Sequence, residues 1–101
     1  MGLSVAVSAL DGTILEQVHD PPNVLHRLLP PGDDRNASVL SKIDWYGDTY
    51  FNYLQLPGFL VEWEALSLRA TGPEEREFME AVRALAYRCI DKRYLLRFIG
   101  D

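Results

Sequence analysis

The sequence has no second cysteine beside Cys89 and no long apolar run, and each of these absences argues against a class of protein. Cys89 has no second cysteine with which to form an intramolecular disulfide, which argues against a small secreted scaffold and against a cysteine-based zinc site. No apolar run approaches the roughly 18 residues that a membrane span needs. No basic residue precedes the apolar N-terminal run, so no signal peptide is predicted and a cytoplasmic protein is expected.

Acidic side chains outnumber basic ones, and they are concentrated in the first two thirds of the chain. The 101 residues carry a formal net charge of −5, and residues 1–68 contain nine acids against three bases. Nucleic-acid binding needs a concentrated basic surface, so this distribution argues against a nucleic-acid partner and favours a basic protein partner. The length predicts a single domain, residues 1–101, with one core.

The first part of the sequence predicts a hairpin. Apolar and small residues alternate from Leu3 to Ala9, which is the period of a strand with one buried face. Asp-Gly at residues 11–12 supplies a turn, and residues 13–19 are expected to form the second strand. Residues 24–29 are expected to form a short helix, while residues 37–45 fit either an extended segment, which we favour, or a helix.

The middle of the chain predicts two consecutive helices. Asp48 or Thr49 is suited to cap a helix over residues 50–56, because short polar side chains accept hydrogen bonds from the first free N–H groups of a helix. A continuation is predicted over residues 57–70, with Pro57 in its first turn. The spacing typical of one helix face is shared by Phe59, Trp63, Leu66 and Ala70.

The last third predicts a long helix and a final strand. Residues 73–92 begin with proline and acidic residues and place apolar residues on one face, namely Phe78, Val82, Leu85, Ala86 and Cys89. Residues 94–99 are almost entirely apolar, which predicts a buried, central strand. The predicted fold class is therefore α+β: a small antiparallel or mixed sheet, made of the N-terminal hairpin and the C-terminal strand, packed against two or three helices.

Residues 5–15 resemble the first motif of the haloacid dehalogenase-like phosphatases, in which an apolar strand leads into Asp-x-Asp-Gly-Thr. The second aspartate of that motif corresponds to Asp11. The position of the nucleophilic aspartate is occupied by Ala9, whose methyl group cannot attack phosphorus or hold Mg²⁺. The chemistry of that family is therefore excluded, and the segment is interpreted as a hairpin turn.

No set of residues for metal binding or catalysis is complete. His19, Asp20 and His26 lack the spacing of a zinc-binding motif. A calcium loop that began at Asp44 would require ligands and a glycine where other residue types stand. The sequence therefore predicts no catalytic residue, no metal site and no cofactor.

The segment DWYGDTYFN, residues 44–52, concentrates aromatic and acidic side chains. Aromatic residues are enriched at protein interfaces because they bury a large area at a low entropic cost. The core of so small a protein cannot easily bury all four of Trp45, Tyr46, Tyr50 and Tyr53. The predicted partner surface consists of Asp44, Trp45, Tyr46, Asp48, Tyr50, Tyr53, Glu62 and Glu64. A purely structural interpretation, in which the segment forms a turn and the start of a helix, stays open.

The segment GDTYFNYLQ (residues 47–55), the helix FLVEWEAL and the terminal LRFIGD resemble a group of small, uncharacterised bacterial proteins. These proteins share a Gly-Asp-Thr-x-Phe-Asn-x-x-Gln segment and an aromatic-Ile-Gly-Asp tail. Compact acidic proteins of this kind are often immunity proteins that neutralise a toxin. The resembled group brings no function with it. By analogy with immunity proteins, and from the charge distribution, the aromatic segment and the lack of a complete catalytic set, we expect a non-enzymatic interaction module of the immunity or antitoxin type, which occludes a basic toxin.

Two other functions stay open at this point. The first is a small-ligand-binding protein or an enzyme, whose cleft would bring together Asp11, His19, Asp44 and Asp48. The second is a self-associating structural subunit, which would use the apolar strand 94–99 or the helix face that carries Trp63. The expected oligomeric state is accordingly a monomer or a homodimer.

Overall fold

A computed structural model describes residues 3–20, 43 and 47–100. The described elements follow the order β1 (Leu3–Ser8), β2 (Ile14–Asp20), β3 (Asp48–Phe51), α1 (Leu56–Ser67), α2 (Pro73–Lys92) and β4 (Leu95–Ile99). Within this part of the chain the four strands form one antiparallel sheet in the order β2-β1-β4-β3. The α+β prediction is confirmed, and so is the central position of the C-terminal strand.

The turn between β1 and β2 follows the predicted Asp-Gly chemistry. Ala9 N–H donates to the carbonyl of Thr13 at 2.8 Å, and Thr13 N–H donates to Oδ1 of Asp11 at 2.9 Å. Gly12 has a φ of +97°, a conformation that side-chain-bearing residues rarely adopt. The hairpin is therefore fixed by local residues, and the prediction of a turn at this position is confirmed.

The predicted helix over residues 50–56 is wrong, because residues 48–51 form strand β3. Thr49, Tyr50 and Phe51 are β-branched or aromatic, and they pair with Phe98, Arg97 and Leu96 of β4. Pairing with a distant strand thus overrides the local helix signal, and neither Asp48 nor Thr49 is a helix cap.

Asn52 orders the turn that precedes α1, whose N-cap residue is Gln55 and has no side-chain cap hydrogen bond. Its Oδ1 accepts hydrogen bonds from the backbone N–H groups of Leu54 and Gln55, both at 3.0 Å. The Oε1 of Gln55 in turn accepts from Asn52 N–H at 2.9 Å. This reciprocal pattern has the hydrogen bonds of a capping box, although it lies in the turn before α1, and it organises the path from β3 into the helix.

Both helices pack on one face of the sheet. The predicted apolar stripes of the two helices are buried, although Ala70 lies just beyond the end of α1. The sheet contributes alternate residues to this core, namely Leu3, Val5, Val7, Phe51, Leu96 and Phe98. Phe59 and Trp63 stack with ring centroids 5.3 Å apart, so aromatic rings form the centre of the core.

The other predicted elements have the following outcomes. The helix expected at residues 24–29 lies outside the described residues, as does the segment 37–45 except for Ile43, which is buried. None of the described helices has the length and apolar character required to cross a membrane.

Candidate functional site

The second face of the sheet, opposite the helices, carries the described residues with the most chemical variety. Side chains alternate between the two faces of a strand, so burial of Phe51, Leu96 and Val7 in the core directs their neighbours to the second face. One row across this face consists of Tyr50, Arg97, Ala6 and Gln17, in register on β3, β4, β1 and β2. Tyr50 is 44% exposed, as its position in the predicted partner surface requires.

Arg97 holds together the part of the second face near β3. Its Nε and Nη2 atoms both donate to Oδ2 of Asp48, at 3.2 and 2.5 Å. The hydrogen bond with Asp48 raises the pKa of Arg97 further above its ordinary value. The guanidinium also lies over the ring of Tyr50, with Cζ 5.3 Å from the ring centroid. Asp48 therefore already has a basic partner within the chain.

A depression of about 310 Å³ opens where the hairpin turn approaches Tyr50. Its lining comes from the end of β1, the turn, β3 and the start of β4, and consists of Ser8, Ala9, Leu10, Asp11, Gly12, Tyr50 and Leu95. Leu10 is 78% exposed, and it lines the depression together with the exposed ring of Tyr50. The depression thus joins apolar side chains and a carboxylate on one accessible surface.

Asp11 remains ionised at this depression. The hydrogen bonds that Thr13 donates, first from its backbone N–H, hold the pKa of the Asp11 carboxyl below its ordinary value. Among the described residues no lysine or arginine forms an ion pair with it. No base of the described residues therefore neutralises its negative charge, in contrast to that of Asp48.

Further exposed side chains lie at the same end of the sheet. Tyr53 is 36% exposed, and Arg93 lies over its ring with Cζ 5.0 Å from the centroid. Leu54 is 74% exposed. Residues 53 and 54 follow the end of β3, and Arg93 precedes the start of β4. All three therefore lie near the end of the sheet at which Leu95 lines the depression.

Two predicted site residues belong to the helical layer instead. Glu64 lies in α1, and its Oε1 is 2.9 Å from Nε of Arg83 in α2. Nε of Arg83 forms no hydrogen bond with this carboxylate, so the contact is an ion pair alone. Glu62 is half-buried in the same helix. Because α1 packs on the core face of the sheet, Glu64 and Tyr50 lie on opposite sides of the sheet.

The remaining predicted residues are divided between the described and undescribed parts. Asp44, Trp45 and Tyr46 lie outside the described residues. Asp48 pairs with Ile99 at one end of the sheet, whereas Asp11 lies in the turn beyond the other end. His19 lies three strands away from Asp48, a separation of about 14 Å at roughly 4.8 Å per strand. The structure therefore does not bring Asp11, Asp48 and His19 into one cleft.

The described residues also bear on metal binding and on self-association. In this part of the chain no group of three metal-ligating side chains comes together. The strand proposed for self-association, β4, is paired on both sides by β1 and β3, and Trp63 is fully buried. Neither of those two surfaces is accessible to a second copy in the folded chain.

Leu10, Leu54 and Leu95 were not predicted as site residues. One signal was present for Leu10, since it directly precedes the Asp-Gly turn and a large apolar residue at a turn is exposed. Leu95 gave no signal, because its place in the depression depends on the pairing of β4 with β1.

When the chain was compared with known proteins, no family model matched it, and neither did any curated protein or any solved structure.

Proposed function

We propose that this chain is a non-enzymatic protein-binding module of the immunity or antitoxin type, which acts in the cytoplasm by occluding a basic toxin. Its contact region is the hairpin-end surface, which we define as Leu10, Asp11, Tyr50, Tyr53, Leu54 and Leu95. The observation that carries the proposal is the exposure of Leu10 and Tyr50, which line one depression together with the ionised Asp11.

The apolar part of this surface supports binding to another protein. Tyrosine contributes strongly to interfaces because its ring buries a large area and has few rotatable bonds to immobilise. Its hydroxyl can form a hydrogen bond with water in the free protein and with the partner in the complex. Tyr50 and Tyr53 are each held by an arginine over the ring, Arg97 and Arg93, so both side chains are already ordered before a partner arrives. Less conformational entropy is then lost on binding.

The charge of the chain supports a basic partner. The net charge is −5, and a field of that sign accelerates association with a cationic protein. Asp48 and Glu64, which were expected to contribute directly, each face an arginine of the same chain. The Asp11 carboxylate is therefore the acid of the hairpin-end surface that supports the proposal most directly.

The test is co-purification of the tagged full-length chain with the products of its neighbouring genes, expressed one at a time. A bound product whose toxicity in cells is suppressed by this chain is the expected result. Tyr50→Ala and Leu10→Ala are expected to weaken the complex by more than tenfold together, in the range of an interface hot spot. Thermal unfolding of each variant confirms that the fold is kept.

Matched controls are available on the helical side. Tyr87 is 55% exposed on α2, and Leu68 is 88% exposed just after α1. Tyr87→Ala and Leu68→Ala therefore remove a similar side chain from a different surface and are expected to leave binding unchanged. Equal losses in the control pair and the hairpin-end pair, or no bound product at all, would contradict the proposal.

A further inference from the structure

The depression in the hairpin-end surface has the two chemical features that a long cationic side chain requires. Leu10, Tyr50 and Leu95 provide apolar area, and the acidic residue Asp11 lines the same depression. Lysine and arginine bury their methylene stems against apolar groups while the charged end reaches a polar partner. An anionic group would instead meet the charge of Asp11, and a purely apolar group would leave that charge without a partner.

We infer that this depression receives an arginine or lysine side chain of the partner protein, with the stem against Leu10 and Leu95 and the cation at the Asp11 carboxylate. The inference rests on the proposed function, because it names the group by which the basic partner is recognised.

The chain itself shows that a guanidinium suits these surroundings. Arg97 lies over Tyr50 and binds Asp48, so the same combination of ring and carboxylate already holds one arginine beside the depression. Asp48 is occupied by that contact, whereas Asp11 has no basic side chain of the described residues paired with it. The depression therefore combines the same ring, Tyr50, with a second acid, Asp11, that no basic side chain of the described residues occupies.

The test uses three tripeptides with blocked ends, in which glycines flank arginine, lysine or citrulline. Citrulline has nearly the shape of arginine but no charge. Each peptide is titrated into the isotope-labelled full-length chain while backbone amide shifts are recorded by NMR. The arginine and lysine peptides are expected to shift the amides of Leu10, Asp11, Gly12, Tyr50 and Leu95, and the citrulline peptide is expected to bind roughly two- to fivefold more weakly, the range of an exposed ion pair.

Asp11→Asn separates the charge of this residue from its structural role. The Oδ1 of asparagine still accepts the hydrogen bond from Thr13 N–H, so the turn is kept while the charge is lost. We expect it to weaken binding of the arginine peptide roughly two- to fivefold, the range of an exposed ion pair. The control is Glu77→Gln, which removes an equal charge from an exposed position on α2 and should not change binding.

Several results would overturn the inference. One is that the citrulline peptide binds as tightly as the arginine peptide. Another is that Asp11→Asn and Glu77→Gln weaken peptide binding equally. A third is that the five amides shift when the free protein is diluted, which would make a second copy of the chain the occupant. A captured partner that needs Tyr50 but binds Asp11→Asn normally would refute the inference and leave the proposed function standing. Peptide binding in a chain that captures no partner would refute the proposed function alone.

Discussion

Arg97 and Asp48 are joined across neighbouring strands by two hydrogen bonds that converge on a single carboxylate oxygen. Nε and Nη2 of Arg97 both donate to Oδ2 of Asp48. The two residues are not directly opposite each other in the sheet, since Arg97 pairs with Tyr50 and Asp48 pairs with Ile99. The contact is therefore diagonal, and it ties the edge strand β3 to the central strand β4 on the second face.

Neutralising this pair is expected to destabilise the chain modestly. Both side chains are partly exposed, at 20% for Arg97 and 34% for Asp48, so water screens much of the attraction. We expect Asp48→Asn to lower the free energy of unfolding by about 0.5–1 kcal/mol in dilute buffer. The loss should shrink near 1 M salt, where the screening length falls to about 3 Å.

Urea unfolding at the two salt concentrations measures this effect. The matched control is Asp91→Asn, because Asp91 faces Lys92 at 3.9 Å on the exposed side of α2 and should contribute less. If the two variants lose equal stability and respond equally to salt, Arg97 and Asp48 do not stabilise the sheet edge.

The capping box at Asn52 is expected to be a main source of local order between β3 and α1. Asn52→Ala removes the acceptor for Leu54 N–H and Gln55 N–H, so we expect a loss of about 1 kcal/mol in the free energy of unfolding. Asn52→Asp keeps an acceptor oxygen at the same place and is the matched control, with a smaller change expected. Chemical denaturation followed by circular dichroism gives both values.

A double-mutant cycle tests whether the two capping residues act together. Because Asn52 and Gln55 each satisfy a backbone N–H of the other, the loss in the double alanine variant should be smaller than the sum of the single losses. Strict additivity would show that the two hydrogen bonds stabilise the turn independently, contrary to the reciprocal arrangement.

Elements governed by local pattern could be predicted from the sequence. Three elements depend only on neighbouring residues, and each formed as expected. They are the alternating strand within residues 3–9, the Asp-Gly turn, and the helix with the apolar stripe from Phe78 to Cys89. Residues 50–56 could not be predicted in this way. Tyr50 and Phe51 at the start of this range pair with β4, which lies beyond both helices in the sequence, and the strength of that pairing has no local signal.

The candidate site was predictable in part for the same reason. A core this small was expected to leave part of the aromatic rings of this segment exposed, without indicating which, and Tyr50 and Tyr53 are exposed. Their neighbours depend on tertiary structure: sheet order brings Leu10 and Leu95 to Tyr50, and it separates Asp11 from Asp48. The Asn52-x-x-Gln55 spacing was a readable signal for a capping box, although the cap was predicted at Asp48 or Thr49.

Trp63 is expected to be the single most important core side chain of α1. It is fully buried, it stacks on Phe59, and its Nε1–H donates to the carbonyl of Met79 at 3.0 Å. We expect Trp63→Phe to cost about 1–3 kcal/mol through the lost hydrogen bond and volume, and Trp63→Ala about 3–5 kcal/mol. Tyr87→Ala, an exposed aromatic truncation on α2, should cost less than either. Urea midpoints in the opposite order would contradict this assignment.

Cys89 gives the core a defined dependence on pH. Burial raises the pKa of its thiol from 9.0 to about 11, because the thiolate is poorly solvated inside the core. Between these values the unfolded chain has lost the proton while the folded chain keeps it, so the folded state binds more protons and stability falls as pH rises. The contribution is fully present below about pH 9 and is lost by about pH 11, a decrease of roughly 2–3 kcal/mol at about 1.4 kcal/mol per unit.

The free energy of unfolding of the wild type and of Cys89→Ala, measured by urea denaturation from about pH 7 to pH 11, isolates this contribution. Lysine and tyrosine titrate in the same range in both proteins, so their effects cancel in the difference between the two profiles. We expect the advantage of the wild type to decline above pH 9, and the native thiol to react with DTNB at pH 8 far more slowly than the urea-unfolded thiol. A constant difference between the two profiles, together with rapid native labelling, would place the thiol in contact with solvent rather than in the core.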